Sequence, residues 1–279
     1  MMTSPHSQSH AVNGQQFVYR DHDHAMKEES LPFTIRVVSN IRDLEKAVRI
    51  RHAAYMRHVP GFAQELTLPE NSDSEQGVVV LLAESKFDGS PVGTMRIQTN
   101  DYKPLKLEQS IALPESLSSK RLAEATRLGV TQERVGRMVT TALFKAFFLY
   151  CRQNRIDYMV IAARAPVDRQ YDRLLFQDVY PELGYIPFKH AGNLPHRIMA
   201  LDVNGAEAIW TKAQQPLLKF VLNTFHEDIN VVGTSLYQAK FSSQPSTADA
   251  SSDVSIAASE ATQLPASPAL VQSATLLAQ

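Results

Sequence analysis

Two strand-like runs, each carrying an arginine, lead straight into a long apolar helix between Pro91 and Asn154. The first run reads P-V-G-T-M-R-I-Q-T from Pro91. After a polar excursion, the second reads L-A-E-A-T-R-L-G-V-T-Q and ends at Gln132. Side chains on a half-buried strand alternate between its faces. That alternation predicts Glu124 and Thr126 on one face, with Ala125 and Arg127 on the other. Charges inside a buried sheet are costly unless paired. Arg96, Glu124 and Arg127 therefore mark either a polar site cut into an apolar scaffold or an ordinary edge-strand salt bridge.

The rest of the chain supplies a scaffold for these runs. Phe33 to Val38 alternates and is rich in β-branched residues, which predicts a first strand. Ser39 or Asn40 can cap a helix from Ile41 to about His58, ended by Pro60 and Gly61. The segment L-T-L-P-E-N-S-D-S-E-Q has no period and reads as an acidic surface loop. Gly77 to Glu84 is a continuous apolar run, as in a buried strand, and Asp88-Gly89 turns it into Val92 to Thr99. From Val135 to Asn154 apolar residues cover much of a helix, with Met138 on its main apolar face and Cys151 as a structural thiol. Tyr158 to Ala163 predicts another buried strand, Asp168 to Val179 a helix, and the runs G-Y-I-P-F-K-H and R-I-M-A-L-D-V an antiparallel pair. Glu207 to about Asp228 reads as helical with a break near Pro216.

The expected fold is α/β, a mixed and mostly antiparallel sheet flanked by helices. It spans residues 33–235, between an unstructured arm (1–32) and a Ser/Ala/Pro-rich tail (236–279). The D-H-D-H run around Asp23 reads as part of the solvated arm. Lysine and arginine total 28 against 29 aspartates and glutamates, so bulk charge gives no reason to expect a nucleic-acid partner. A lone cysteine, Cys151, fits a reducing compartment, and the polar N-terminus lacks a signal core. Apolar stretches are broken well short of about 20 residues, so no transmembrane segment and a cytoplasmic location are expected.

R-H-A-A-Y (Arg51 to Tyr55), Ser72-Asp73, V-G-T-M-R (Val92 to Arg96) and E-A-T-R-L-G-V (Glu124 to Val130) occur in the order and spacing of two related groups. The chain resembles the acyl-homoserine lactone (autoinducer) synthases and the bacterial N-acyl amino acid synthases, both of the GNAT acyltransferase fold. The resemblance covers about residues 33–235 and implies an N-acyltransferase. Such an enzyme moves a long-chain acyl group from acyl carrier protein to the amine of a small metabolite. It implies no bound cofactor or metal; the acyl carrier protein thioester, or acyl-CoA, is a substrate.

Carried onto this sequence, the resemblance implies Glu124 as general base or as orienter of the arginines. Arg96 and Arg127 then bind the acceptor carboxylate or fix Glu124. Arg51, Tyr55 and Asp73 form the acceptor side; without the resemblance, Arg51 and Tyr55 read as a helix-surface pair. Leu128, Gly129 and Val130 hold the oxyanion by backbone N–H, and Gly136 marks the donor turn. Arg134 and Arg137 meet either an acidic carrier protein or only solvent. Phe144, Phe147 and Phe148, with Met159 and Ile161, line an acyl tunnel or simply fill the core.

Two departures weigh against S-adenosylmethionine, the autoinducer synthases' acceptor. The tryptophan usual beyond the Arg-aromatic pair is absent, since H-V-P-G-F stands there. Those synthases also pair two aspartates three apart, whereas Asp73 is followed by Gln76 at that spacing. The turn T-Q-E-R-V-G-R-M has one glycine and makes a poor CoA pyrophosphate cradle. An acetyl-CoA-dependent acetyltransferase and a non-catalytic binding module of the same fold remain the alternatives.

Overall fold

The computed structural model describes residues 26–132, 134–188 and 191–242 of the chain. The D-H-D-H run and everything after Ser242 lie outside these residues. In chain order the elements are β1 (Lys27–Glu28), β2 (Phe33–Val37), α1 (Ile41–Met56), α2 (Pro60–Ala63), β3 (Val78–Ser85), β4 (Pro91–Thr99), α3 (Glu115–Ser118), β5 (Leu122–Val130) and α4 (Arg134–Gln153). There follow β6 (Tyr158–Ala163), α5 (Asp168–Arg173), β7 (Gln177–Asp178), β8 (Ile186–Phe188), β9 (Leu194–Asp202), α6 (Ala206–Lys212), α7 (Leu218–Leu222), β10 (Thr224–Phe225), β11 (Ile229–Asn230) and α8 (Leu236–Ser242). One mixed sheet runs β11-β2-β3-β4-β5-β6-β9-β7, with β8 added on β9. Only β11/β2 and β5/β6 pair in parallel within it.

Alternation along the strands sorts two layers. Leu81, Met95, Ile97, Ala125 and Ile161 face α4 and build the main core with Val139, Leu143, Phe147 and Trp210. Val80 and Leu82 face the other way and pack with Leu44, Ala47 and Val48 of α1. Farther along that face, Leu122, Val160 and Ile198 are covered by Leu105 and Leu107 of the long β4–β5 connection. Asn40 caps α1, its Oδ1 accepting the Asp43 N–H at 3.0 Å.

The structure revises several elements. The helix expected over 168–179 stops at Arg173, because Leu175 takes φ 63° and the chain turns back to pair Gln177 and Asp178 with β9. The helix expected over 207–228 is split, with Gln214 at φ 53° before Pro216, and its last stretch becomes β10. Lys27 and Glu28, expected in the arm, pair in parallel with Thr224 and Phe225. Helix α8 begins where the tail was expected. Ser235 Oγ accepts the Gln238 N–H, and Leu236 is buried against Val38 and Leu44.

Candidate active site

The site begins with one extra residue in β5. Arg96 lies opposite Thr126, and Thr94 opposite Gly129, so β5 spends three steps where β4 spends two. Such a bulge re-aims the side chains around it. Arg127, at φ 56°, is left-handed. Simple alternation placed Arg127 away from Glu124; the bulge turns it to the α1 side, beside Arg96. Both strands are interior to the sheet, which removes the edge-strand reading. The β5–β6 ladder ends at Ala125 and Ile161, and beyond it β5 continues to Val130 without that partner.

Three arginines converge there on two carboxylates. Arg51, fully buried on α1, donates Nη1 and Nη2 to the two oxygens of Asp73 at 3.0 and 2.9 Å. Arg96 donates Nη1 to Asp73 at 3.2 Å, to Ser72 Oγ at 3.0 Å and to Glu70 at 3.1 Å. Its Nε–H reaches Thr126 Oγ1 at 3.1 Å. Arg127 grips Glu70 with Nε and Nη2 at 2.7 and 2.8 Å. Glu70 Oε2 thus accepts from all three arginines. Burial pushes Glu70 up, but the Arg127 hydrogen bonds and the neighbouring guanidinium charges outweigh it and hold the carboxyl at about 2. Three guanidiniums against two carboxylates leave one positive charge.

Glu70 was the residue sequence reasoning missed. Its segment is no surface loop: Asp73 is 1% exposed, and the Glu70 N–H donates to Asp73 Oδ2 at 2.9 Å across a capping turn. The signal was a second carboxylate three residues from Asp73, lying before it and not after. The two-carboxylate spacing of the autoinducer synthase pattern is thus met, with a glutamate in place of the first aspartate.

Glu124 stands apart from this network and does not orient the arginines. It is fully buried, and Oε2 accepts the Leu107 N–H at 3.3 Å, while Oε1 has no partner among the described residues. Burial pushes its carboxyl up to about 7, against the Leu107 hydrogen bond and the Arg96 charge. A half-ionised carboxylate with a free oxygen is suited to accept a proton near neutral pH.

A cavity of about 350 Å³ runs through the split in the sheet. On the α1 side its wall holds Glu70, Ser72, Arg96, Lys106, Glu124 and Thr126; on the α4 side, Ala125, Thr140, Ile161, Ala163, Val167 and Tyr171. Tyr55 lines it beside Phe62, whose ring lies 5.1 Å from the Arg127 guanidinium carbon. Leu128, Gly129 and Val130 form the wall beyond the ladder's end. Gly129 also lets α1 approach, since a Cβ there would sit 3.0 Å from the Arg51 Cα. Arg51 and Asp73 lie behind the wall and brace it. His196, also in the lining, is buried, and burial lowers its imidazole pKa. Its Nδ1 lies 2.7 Å from the Leu194 carbonyl.

Other expected site residues go elsewhere. Phe147 is fully buried in the core and does not reach the cavity, and Phe144 and Phe148 pack on Trp210 at 6.1 and 5.2 Å. Gly136 fits because any side chain would strike the Thr131 carbonyl. Arg134 and Arg137 are exposed on the first turns of α4, and Met138, expected on the apolar face, is 46% exposed beside them. Cys151 is buried, and burial raises its thiol pKa well above the ordinary range, as befits a structural thiol. Among the described residues no cluster of three or more His, Cys, Asp or Glu could hold a metal ion, and no helix is long and apolar enough to cross a membrane.

A mixed sheet that opens between two parallel central strands, backed by a long helix, is the architecture of the GNAT N-acyltransferases, and this chain is an N-acyltransferase of that fold. Residues 46–202, more than half of the chain, match the family of the N-acyl amino acid synthase FeeM, and the chain belongs to that family. Its fold is similar to FeeM, an N-acyl amino acid synthase from uncultured soil microbes, with TM-score 0.50 and 20% identity over 67% of this chain and 96% of that one. Weaker likenesses include the CoA-dependent acyl-homoserine lactone synthase BjaI, solved with SAM and isopentyl-CoA (TM-score 0.47, 15% identity, 75% and 98% covered). Arabidopsis thaliana NAA60, solved with acetyl-CoA, is another (TM-score 0.44, 17% identity, 62% and 99% covered). No curated protein sequence matches.

Proposed function

We propose that this chain transfers a fatty acyl group from an acyl carrier protein thioester to the amine of an amino acid. The observation that carries this reading is the two-sided cavity. One half is apolar and suits an acyl thioester; the other is charged and suits a small zwitterion. The acceptor carboxylate is held by Arg96 and Arg127, whose planar forks match it. Glu124 Oε1, the unpartnered oxygen, takes the amine proton directly or through water. The nitrogen attacks the thioester carbonyl, the C–N bond forms, and a backbone N–H between Leu128 and Val130 holds the oxyanion. The C–S bond then breaks. The thiolate leaves on the apolar side and takes up the second proton that the nitrogen gives up on becoming an amide.

Exposed Arg134 and Arg137 offer an acidic carrier a landing surface at the donor side. The unneutralised positive charge of the arginine cluster disfavours a sulfonium acceptor, which supports an amino acid over S-adenosylmethionine. The test is intact-mass analysis of lipid extracts from bacteria expressing the chain, with Glu124→Gln as control. New N-acyl amino acids, absent from the control, are expected. Acyl-homoserine lactones would replace the acceptor assignment, and purified enzyme that prefers acyl-CoA over the carrier thioester would replace the donor.

A further inference from the structure

Lys106 is a cation that the proposed reaction leaves unused. It lies in the cavity wall on the α1 side, half-buried; its backbone N–H is turned to Glu124, while its side-chain ammonium makes no hydrogen bond or ion pair with any described residue. By contrast Arg57 donates to the Ala53 and Val130 carbonyls, and Arg164 to that of Ala165. The backbone around Lys106 is pinned, because Leu105 and Leu107 on either side are fully buried. The Leu107 N–H holds Glu124. Lys106 is therefore carried by a fixed segment next to the proposed base.

Charge in the cavity lining does not balance. Arg57, Arg96, Lys106, Arg127 and Arg164 are five cationic side chains, against the two carboxylates Glu70 and Glu124. A zwitterionic amino acid adds no net charge and leaves this positive excess in a partly desolvated space, which is costly. An acceptor with one more anion reduces it.

Resting on the acyl-transfer reading, we infer that the acceptor amine carries two anionic groups. One is a carboxylate on the Arg96–Arg127 side, and the second is a carboxylate or phosphate met by the Lys106 ammonium. The experiment measures kcat/KM of the full chain with dodecanoyl-acyl carrier protein and paired acceptors: glutamate and aspartate against glutamine and asparagine, and O-phosphoserine against serine. The expected result is at least a tenfold preference for the doubly anionic member of each pair. In Lys106→Met that preference collapses, while the neutral acceptors lose far less. The ranking of glutamate against O-phosphoserine assigns the second anion. Equal use of neutral acceptors by the wild type overturns the inference. So does a Lys106→Met variant that slows every acceptor alike, because the lysine then serves Glu124. Calorimetric binding of the same acceptors without donor separates the two readings. Lys106-dependent binding of dianions without turnover upholds the Lys106 site and defeats acyl transfer; no binding preference defeats the Lys106 site.

Discussion

Among the arginine–carboxylate clusters on this sheet, two differ in sign. At the split, three arginines share two carboxylates, and the group is buried against a cavity. Near the far edge, Arg197 alone serves Asp168, Asp172 and Asp178, at 3.2, 3.0 and 2.6 Å. There the guanidinium is fully engaged, Tyr185 adds a hydrogen bond to Asp168, and Asp172 is exposed. That cluster ties α5 and β7 to β9, and its guanidinium has no donor left to offer. The first retains positive charge in a closed space. A polar network with charge to spare beside a cavity is built for a ligand; one whose only cation is outnumbered is built for the fold.

The largest expected effect comes from cutting the first cluster beneath the wall. Asp73→Ala leaves Arg51 fully buried with only the 3.2 Å contact to Glu70 in place of its two-pronged partner, at a cost of about 3–5 kcal/mol. Thermal unfolding should show a large drop in Tm together with loss of activity. If Asp73→Ala were as mild as a change in the far cluster, the contrast would collapse.

Glu124→Gln sharpens the comparison from the chemical side. Transfer should fall by about 10²–10⁴-fold with the fold intact. The wild-type pH profile of kcat/KM should rise on an acid limb near 7, which the variant lacks. Stability should move the other way. The Glu124 pKa is raised by folding, from 4.5 to about 7, so its contribution is complete below 4.5 and is lost as pH rises to 7. Glu124→Gln should therefore gain on wild type above pH 7, by on the order of 3 kcal/mol at most. Denaturant midpoints across pH 4–8 test this.

Glu70 carries the opposite sign. Its pKa falls from 4.5 to about 2 on folding, so its contribution holds above 4.5 and fades as pH drops towards 2. Glu70→Gln should destabilise at pH 7 and approach wild type in acid, in the same titration. The smallest effect belongs to the far cluster. Arg197→Ala should cost about 1 kcal/mol, because Asp172 and Asp178 reach solvent and Tyr185 still donates to the buried Asp168, and should leave kcat/KM within a few fold. A large kinetic loss there would erase the distinction between the clusters.

How far the sequence reached depends on which physical signal each residue carries. The β3–β4 hairpin and α4 were legible because burial writes its period directly into the residues. Arg96, Glu124 and Arg127 were legible because charges inside such runs demand an explanation, whereas Arg51 came only from the family resemblance and otherwise read as part of a helix-surface pair. The side that Arg127 faces was not: a bulge is a register event between two strands, invisible along one of them. Glu70 was hidden for a related reason, since an acidic segment reads as surface until the buried arginines that claim it are placed opposite. Phe147 misled in the other direction, because an aromatic core and an acyl tunnel share one composition. The short α5 and the β1–β10 pair depend on single backbone turns and on partners almost 200 residues apart.

The end of the β5–β6 ladder at Ala125 and Ile161 has a consequence for traffic. Under the proposed reaction, thioester from the α4 side and amine from the α1 side would enter independently, and steady-state kinetics should then show a random-order ternary complex. The product has no such freedom. Once joined, its head and tail lie on opposite sides of the sheet, and one must be drawn through the gap before the molecule can leave. Under the proposed reaction, release rather than bond making is then expected to limit turnover, with the longest tails slowest to clear, which a product burst in the first turnover would show.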